Sequence, residues 1–213
     1  MSRITIGVIG AGLIGRKHLR KIGEHHDYDL VGIADVNVDA VATAYPGTRV
    51  FADYRQLLDE ARPQAVIIAS PNQLHAETGI ECARRGIDIL IEKPVTDTIE
   101  TATVLIAEVR KGGIKSLVGH HRRHHLQVRT LKALLGEGRI GDIVGVSAIW
   151  ATHKPADYFK VAPWRKKAGG GPILINLIHD VDFLRFTVGE IAAVEAIASN
   201  RSAALRWRIR LPR

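Results

Sequence analysis

The sequence predicts an α/β protein whose N-terminal part is a doubly wound parallel sheet, with helices on both faces. In the first 120 residues, short β-rich apolar runs alternate with helical segments of about 10–15 residues, as in βαβ units. A glycine-rich loop joins the first predicted strand to the first predicted helix. Beyond residue 120 the alternation stops, so the sequence predicts a domain boundary there.

The predicted elements of the N-terminal part follow one another in a regular order. Strands are expected at β-rich apolar runs, and helices where apolar residues recur on one side. Asp53 is a candidate N-cap, while Gly86 and Gly113 mark expected helix ends. The predicted strands are 4–9, 30–34, 50–51, 65–69, 87–91 and 115–118, and the predicted helices are 13–24, 38–44, 54–61, 74–85 and 98–111.

The second part contains fewer clear elements. The pattern predicts a helix over 126–135, an alternating strand over 143–152, and a loop rich in Lys, Pro and Gly. A strong helix is expected over 173–188, because Pro172 stands at its first turn and Gly189 at its end. A further strand is expected to begin over 194–198.

Composition and charge exclude several classes of protein. The 213 residues, 46% hydrophobic and 24% charged, describe a globular chain of one large or two small domains. No apolar run approaches the roughly 18 residues that span a bilayer. The single cysteine, Cys82, cannot form an intramolecular disulfide, which favours a cytoplasmic location. Of the net charge of +8, five charges are arginines of the last 13 residues, which argues against nucleic acid as the partner.

The glycine-rich loop is a candidate dinucleotide site. Gly10-Ala11-Gly12-Leu13-Ile14-Gly15 fits G-x-G-x-x-G between a predicted strand and a predicted helix, where free N–H groups can hold a pyrophosphate. Asp35 ends the second predicted strand, where a carboxylate can accept hydrogen bonds from a ribose. This carboxylate would repel a 2′-phosphate, and Asn37 adds no positive charge, so the pattern favours NAD over NADP. The alternative is a glycine turn with a solvated Asp.

A second candidate is Glu92-Lys93-Pro94, directly after the predicted strand 87–91. Open parallel sheets bind ligands at this edge, and Pro94 restricts Lys93 to extended geometry. A partly desolvated lysine beside a cofactor is suited to acid/base work. The residues alone leave open a surface lysine without a role in chemistry.

Five segments resemble the glucose–fructose oxidoreductase and inositol dehydrogenase (Gfo/Idh/MocA) family: GVIGAGLIGRKH, GIADVN, ASPNQLHAETGIECARRGIDILIEKPV, VGHHRRHH and GGGPILINLIHDVDFLRFTVGE. The resemblance implies an N-terminal Rossmann domain over 1–120 and a C-terminal α/β domain with a large open sheet. It implies an NAD(P)-dependent oxidoreductase acting on sugars, inositols or related polyols, and a homo-oligomer in complete members. It also implies that Lys93 is catalytic, that Pro94 follows a cis bond, and that the cofactor lies near Ser70, Asn72, His75 and Glu92.

Polar residues interrupt the mostly apolar helix predicted over 173–188. Asn176, His179 and Asp180 fall on one side of it, which indicates either a lined cavity or a satisfied core histidine. The resemblance identifies His179 with the family histidine that faces the substrate. Similar enzymes often carry an Asp four residues earlier, but Ile175 stands there. We therefore expect Lys93 and His179 as the catalytic pair and Asn176 as a substrate ligand.

Two further polar segments have two interpretations each. Four histidines, His120, His121, His124 and His125, flank Arg122 and Arg123 without the usual metal-ligand spacing, so no metal is expected. Substrate binding by Arg122 and a solvated interdomain stretch remain open. Trp164 and Arg165 could hold an oxyanion or could anchor a loop.

The C-terminal stretch leads to an expectation about the whole chain. Family members commonly exceed 300 residues, so residues 121–199 are expected to be part of a substrate domain, and residues 200–213 a basic tail arising from a frameshift. A homo-oligomer is doubtful for such a shortened chain. The leading function is the NAD(P)-dependent oxidoreductase, and the alternative is a dinucleotide-binding protein without turnover. A nucleic-acid binder would depend on the tail.

Overall fold

A computed structural model describes residues 3–166, 170–171 and 173–197. The expected tail over 200–213, the end of the strand expected over 194–198, and Pro172 lie outside the described residues. The chain divides into two compact units, Met1–Gly119 and His120–Arg213.

The first unit contains one six-stranded parallel sheet, which confirms the predicted fold class. Its strand order is β3-β2-β1-β4-β5-β6. Strands β2 and β3 are added on one side of β1, and β4, β5 and β6 on the other side, so the strand order reverses between β1 and β4. All five neighbouring pairs are parallel. The strands are β1 (Ile4–Ile9), β2 (Tyr28–Ala34), β3 (Val50–Phe51), β4 (Ala65–Ile68), β5 (Asp88–Ile91) and β6 (Ser116–Val118).

Five helices connect these strands. They are α1 (Leu13–Glu24), α2 (Val38–Ala44), α3 (Tyr54–Ala61), α4 (His75–Arg84) and α5 (Ile99–Gly112). As predicted, the side chain of Asp53 caps α3 by accepting a hydrogen bond from the N–H of Arg55 at 2.9 Å. A short 3-10 turn, Asn72–Leu74, precedes α4, so the helix predicted from residue 74 begins at His75. Predicted and observed bounds otherwise differ by one or two residues.

Two apolar clusters cover the two faces of the sheet. On one face Leu19 and Ile22 of α1 and Val41 of α2 pack against β1 and β2. On the other face Leu57, Cys82 and Leu105, from α3, α4 and α5, pack against β4 and β5. Burial of both faces explains why β4 reads as an unbroken apolar run in the sequence.

In the described residues of the second unit, all regular secondary structure is helical, and segments such as 143–155 are irregular. It contains α6 (Leu126–Gly136), α7 (Ala156–Lys160) and α8 (Ile178–Thr187), with 3-10 turns at His121–His124 and Pro163–Lys166. The helix predicted over 173–188 is divided, because Ile173–Leu177 forms a π-helical turn before α8 begins.

The strand predicted over 143–152 is wrong, and so is the strand predicted from residue 194 as far as residue 197. Neither segment forms a strand in the described part of the chain. Alternating side chains favour a strand only where a neighbouring backbone completes the hydrogen-bond ladder. Val144 and Ile149 are almost fully exposed instead of packed against a second layer.

Candidate functional site

The glycine loop lies at the carboxyl edge of the sheet, beside the point where the strand order reverses. Gly10 has a φ of 93°, and its N–H donates to the carbonyl oxygen of Ala34 at 2.8 Å. A Cβ on Gly10 would lie 2.7 Å from the Ala69 backbone, and a Cβ on Gly15 would lie 1.8 Å from Gly10 O. Both positions therefore require glycine, as the motif predicts.

The N-terminus of α1 presents backbone donors at this loop. Gly12 is the N-cap, the first turn carries no acidic residue, and among the described residues no side chain caps this end. Leu13 is exposed, and no atom of the described residues lies within 4 Å of the position that a Cβ of Gly12 would occupy. The positive end of the helix dipole and open space beside the backbone suit a bound phosphate.

Asp35 is tied directly to the glycine loop. Its Oδ2 accepts a hydrogen bond from the N–H of Ala11 at 2.7 Å, and its Oδ1 accepts one from the N–H of Asn37 at 2.9 Å. Oδ1 also accepts the side-chain amide of Asn37 at 3.4 Å, whereas Oδ2 keeps a further lone pair for a hydroxyl group. The loop, the open side of Gly12 and this carboxylate together fit a dinucleotide with an unmodified ribose.

A second loop, after β4, lies against the first. The backbone N of Ser70 would be 2.8 Å from a Cβ on Gly10, and the Ser70 hydroxyl is buried without a hydrogen-bond partner in the described chain. Asn72 is buried at the start of the 3-10 turn. The Ser70 loop and the glycine loop therefore lie side by side at this edge of the sheet.

His75 joins this second loop to the Glu92-Lys93-Pro94 loop. Its ring is 1% exposed, with Nδ1 2.8 Å from Pro94 O and Nε2 2.9 Å from Ser70 O. Burial lowers the pKa of His75 below its ordinary value, against the raising effect of the two carbonyl groups. The neutral ring can donate to one carbonyl at a time. Because it is enclosed, His75 acts on the site through the two loops that it joins.

Glu92 and Lys93 directly follow β5. The N–H of Glu92 donates to Ile68 O at 2.9 Å, and the N–H of Lys93 donates to Glu92 Oε2 at 3.3 Å. The Lys93–Pro94 peptide bond is cis, as the resemblance implied. The three loops after β1, β4 and β5 therefore meet at one edge of the first unit.

The sequence interpretation missed His18. Its Nε2 lies 2.8 Å from Glu92 Oε1. Burial alone would raise the pKa of Glu92, but the hydrogen bond and charge of His18, together with Lys93, hold that pKa below its ordinary value. The sequence signal for this contact was weak, because no local pattern around a histidine one turn after Gly15 indicates a partner 74 residues away.

In the second unit, His179 lies in the first turn of α8, with two neighbouring histidines close to it. The ring centroid of His121 is 4.9 Å from that of His179, and the centroid of His120 is 6.5 Å away. Part of the predicted histidine cluster therefore surrounds the predicted catalytic histidine.

Asn176 and Arg122 have protein partners. Lys154, which the sequence interpretation did not single out, donates to Asn176 Oδ1 at 3.2 Å. Arg122 donates to Asp180 Oδ1 at 2.8 Å, so its guanidinium is already paired with a carboxylate. This pairing weakens the idea that Arg122 binds substrate.

Trp164 and Arg165 lie on the Pro163–Lys166 turn. Arg165 donates to the carbonyl oxygen of Tyr158 at 2.7 Å, and its guanidinium carbon lies 4.0 Å from the centroid of the Tyr158 ring. The same carbon is 5.7 Å from the centroid of the Trp164 ring. Of the two interpretations left open, this geometry favours the loop anchor.

Within residues 3–166, 170–171 and 173–197, one group of three potential metal ligands has its ligand atoms close together. It is the exposed set His25, His26 and Asp27, at the end of α1, and not the histidines near His179. In the same residues, no helix combines the length and apolar character needed to cross a bilayer.

Comparisons with known proteins agree on one family. Residues 4–120 match the model described as an oxidoreductase family with an NAD-binding Rossmann fold, GFO_IDH_MocA, and residues 128–206 match the C-terminal domain of the same family.

Over the aligned residues, individual relatives are about 30% identical to the chain. It is 33% identical to inositol 2-dehydrogenase 2 of Saccharopolyspora erythraea, over 95% of this chain and 59% of that protein. It is 29% identical to 1,5-anhydro-D-fructose reductase of Ensifer adhaerens, over 93% of this chain and 60% of that protein. The chain thus spans about 60% of the length of these relatives.

Among solved structures, the chain is similar to the WlbA dehydrogenase of Bordetella pertussis, determined in complex with NADH and UDP-GlcNAcA. The TM-score is 0.81 and the identity 29%, over 88% of this chain and 59% of that one.

Proposed function

This chain belongs to the Gfo/Idh/MocA oxidoreductase family, and from that membership we propose that it binds NAD and transfers a hydride to or from a small substrate. The substrate in this proposal is a sugar, an inositol or a related polyol, and the hydride moves between the nicotinamide and a hydroxyl-bearing or carbonyl carbon. The relatives named as an inositol dehydrogenase and an anhydrofructose reductase support this substrate class.

The convergence of three loops on one sheet edge carries the proposal. The glycine loop touches the Ser70 loop through Gly10, and His75 joins the Ser70 loop to Pro94. Phosphate-binding donors and a candidate proton-transfer lysine thus belong to one compact unit. The Asp35 carboxylate beside the glycine loop supports NAD over NADP, because it would repel a 2′-phosphate.

In this mechanism the residues of the site bind the cofactor, move a proton or bind the substrate. The loop over 10–15 holds the pyrophosphate, and Asp35 accepts hydrogen bonds from the ribose hydroxyl groups. Bound NAD supplies the hydride chemistry. Lys93 removes or returns the proton of the substrate hydroxyl, with His179 as its assistant, and Asn176 binds the substrate. We also propose a cytoplasmic location, which the single buried cysteine supports.

The test compares Lys93→Ala with the parent chain in two measurements. NADH binding is followed by fluorescence, and turnover by NADH formation over a panel of inositols, sugars and sugar derivatives. We expect NADH affinity within twofold of the parent and a fall in turnover of about 10²–10⁴-fold, the usual contribution of a general acid/base group. Lys111→Ala, at an exposed position of α5, is the matched control. Turnover retained by Lys93→Ala would contradict the assignment.

One observation favours a second candidate, a dinucleotide-binding protein without turnover. In the described residues of the second unit, the segments 143–152 and 191–197 form no sheet. The parent chain distinguishes the two functions: NADH binding without turnover on the whole panel supports the second candidate.

A further inference from the structure

The contact between His18 and Glu92 links two segments that are 74 residues apart in the chain. His18 lies on α1, directly after the glycine loop, and Glu92 directly precedes Lys93. The Nε2–Oε1 distance is 2.8 Å, and the two side chains are 24% and 11% exposed. A contact of this length between two mostly enclosed groups is a well-formed, charge-assisted hydrogen bond when the carboxylate is ionised.

The Glu92 carboxylate is held on its other sides as well. Its Oε2 accepts the N–H of Lys93 at 3.3 Å, and its backbone N–H is bound to Ile68 O at 2.9 Å. A Cβ on Gly119 would come within 2.8 Å of Glu92 Cδ, so the end of β6 closes the space beside it. The Glu92 side chain therefore has little conformational freedom. Its remaining oxygen, Oε1, contacts His18, and this contact fixes the orientation of the carboxylate.

The charged and titratable groups that act on this carboxylate come from three elements. His18 of α1 and Lys93 of the following loop lower the pKa of Glu92, and the charge of Glu92 in turn raises the pKa of His75 of α4. His18 supplies both a hydrogen bond and a favourable charge, and Lys93 supplies its backbone N–H and a favourable charge. Removing His18 therefore takes away two of the influences that keep the carboxylate ionised against burial.

We propose that His18 is a positioning residue for Lys93, acting through Glu92. By holding Oε1, His18 fixes the carboxylate whose Oε2 receives the Lys93 N–H, and the backbone of Lys93 is thereby oriented relative to the glycine loop. This inference rests on the proposed function, since it concerns the lysine of that reaction. It assigns to His18 no contact with substrate or cofactor.

The contact also makes the lysine loop depend on the dinucleotide helix. His18 follows Gly15 by three residues, so a rotation of α1 that alters the glycine loop also moves the group that holds Glu92. A histidine that merely filled space would leave the backbone of Lys93 and the ionisation of Glu92 unchanged on removal. The two roles therefore differ in measurable ways.

The experiment compares His18→Ala, His18→Gln and Glu92→Gln with the parent chain. Lys17→Ala, the exposed neighbour on α1, is the matched control. NADH affinity is measured by fluorescence, and kcat and KM by NADH formation against pH. The amide signal of Lys93 and the carboxyl carbon signal of Glu92 are followed by NMR in the NADH-bound chain.

For His18→Ala we expect kcat to fall about ten- to hundred-fold with NADH affinity within twofold, since displacement of a reacting group by ~1 Å can cost about a hundredfold. The pKa of Glu92 should rise, because the favourable charge of His18 is lost. The acid limb of the pH profile of kcat should therefore move to higher pH. His18→Gln keeps an N–H donor and should restore part of kcat and of the Lys93 amide position. Glu92→Gln should remove the acid limb of the kcat profile, because the titrating carboxyl group is absent.

Two failures can be told apart. If the parent binds NADH but turns over no substrate, the proposed function fails, while the NMR signals of His18→Ala still decide the positioning role. If His18→Ala leaves the Lys93 amide and the Glu92 titration as in the parent, the inference is overturned, whatever happens to turnover. His18→Gln and Glu92→Gln preserve side-chain volume, so they decide the question should His18→Ala fold poorly.

Discussion

Replacing Asp35 by alanine should lower the affinity for NADH by about ten- to hundred-fold. Its carboxylate accepts hydrogen bonds from the N–H of Ala11 at 2.7 Å and from the N–H of Asn37 at 2.9 Å. In our proposal it also accepts hydrogen bonds from the ribose hydroxyl groups. A hydrogen bond to a charged group contributes about 1.5–3 kcal/mol. Since about 1.4 kcal/mol is tenfold in affinity, loss of one such bond gives the stated range.

The same substitution should change the preference between cofactors. Asp35 places a negative charge where a 2′-phosphate would lie, so its removal should weaken NADH binding and relieve the repulsion of NADPH. Fluorescence titrations with both cofactors measure the ratio of the two dissociation constants. Asp29→Ala, at a half-buried position of the same strand β2, is the control, and we expect it to leave both affinities unchanged.

Two results would refute the reasoning about Asp35. One is NADH affinity within twofold of the parent in Asp35→Ala, with an unchanged circular dichroism spectrum. The other is an unaltered NADPH to NADH ratio. Asp35→Asn adds resolution, because the amide keeps an acceptor oxygen for the loop N–H but carries no charge to oppose a phosphate.

Two further predictions follow from buried titratable groups. Burial raises the pKa of the Cys82 thiol to about 12, so the native chain should react with a thiol reagent at neutral pH far more slowly than the chain in denaturant; equal rates would show that Cys82 is accessible. The pKa of Glu92 is lowered from its ordinary value of 4.5, so its stabilising contribution is full above that pH and is lost as pH falls through the lowered value. Urea unfolding between pH 7 and pH 3 should therefore show a smaller loss of stability in Glu92→Gln than in the parent, and parallel curves would contradict this.

Local patterns predicted most of the first unit. The Gly10 turn, the Asp53 cap and the apolar run of β4 depend on residues near each other in the chain, so their physical causes are visible in the sequence. Alternation of strands and helices then allows few arrangements other than a parallel sheet. Because the loops after parallel strands lie at the carboxyl edge of the sheet, their proximity was predictable without information on side-chain contacts.

Contacts between distant segments were not predictable in this way. His18 meets Glu92, and Lys154 meets Asn176, across 74 and 22 residues, and no spacing rule connects either pair. The assignment of Arg122 as a substrate ligand did not anticipate its pairing with Asp180, 58 residues away. The predicted strand over 143–152 was wrong because alternation reports a tendency, whereas a strand also needs a neighbour.

The position of β1 in the middle of the sheet has a consequence for synthesis on the ribosome. The glycine loop depends on Ala34, whose carbonyl receives the Gly10 N–H, and on Ala69, whose backbone lies against Gly10. Residues 10–15 emerge first but lack one of these supports until residue 69 has left the exit tunnel. A nascent chain stalled before that length should not retain NADH, whereas one stalled after residue 119 has emerged should. Cofactor capture thus reports how far the first unit has assembled during translation.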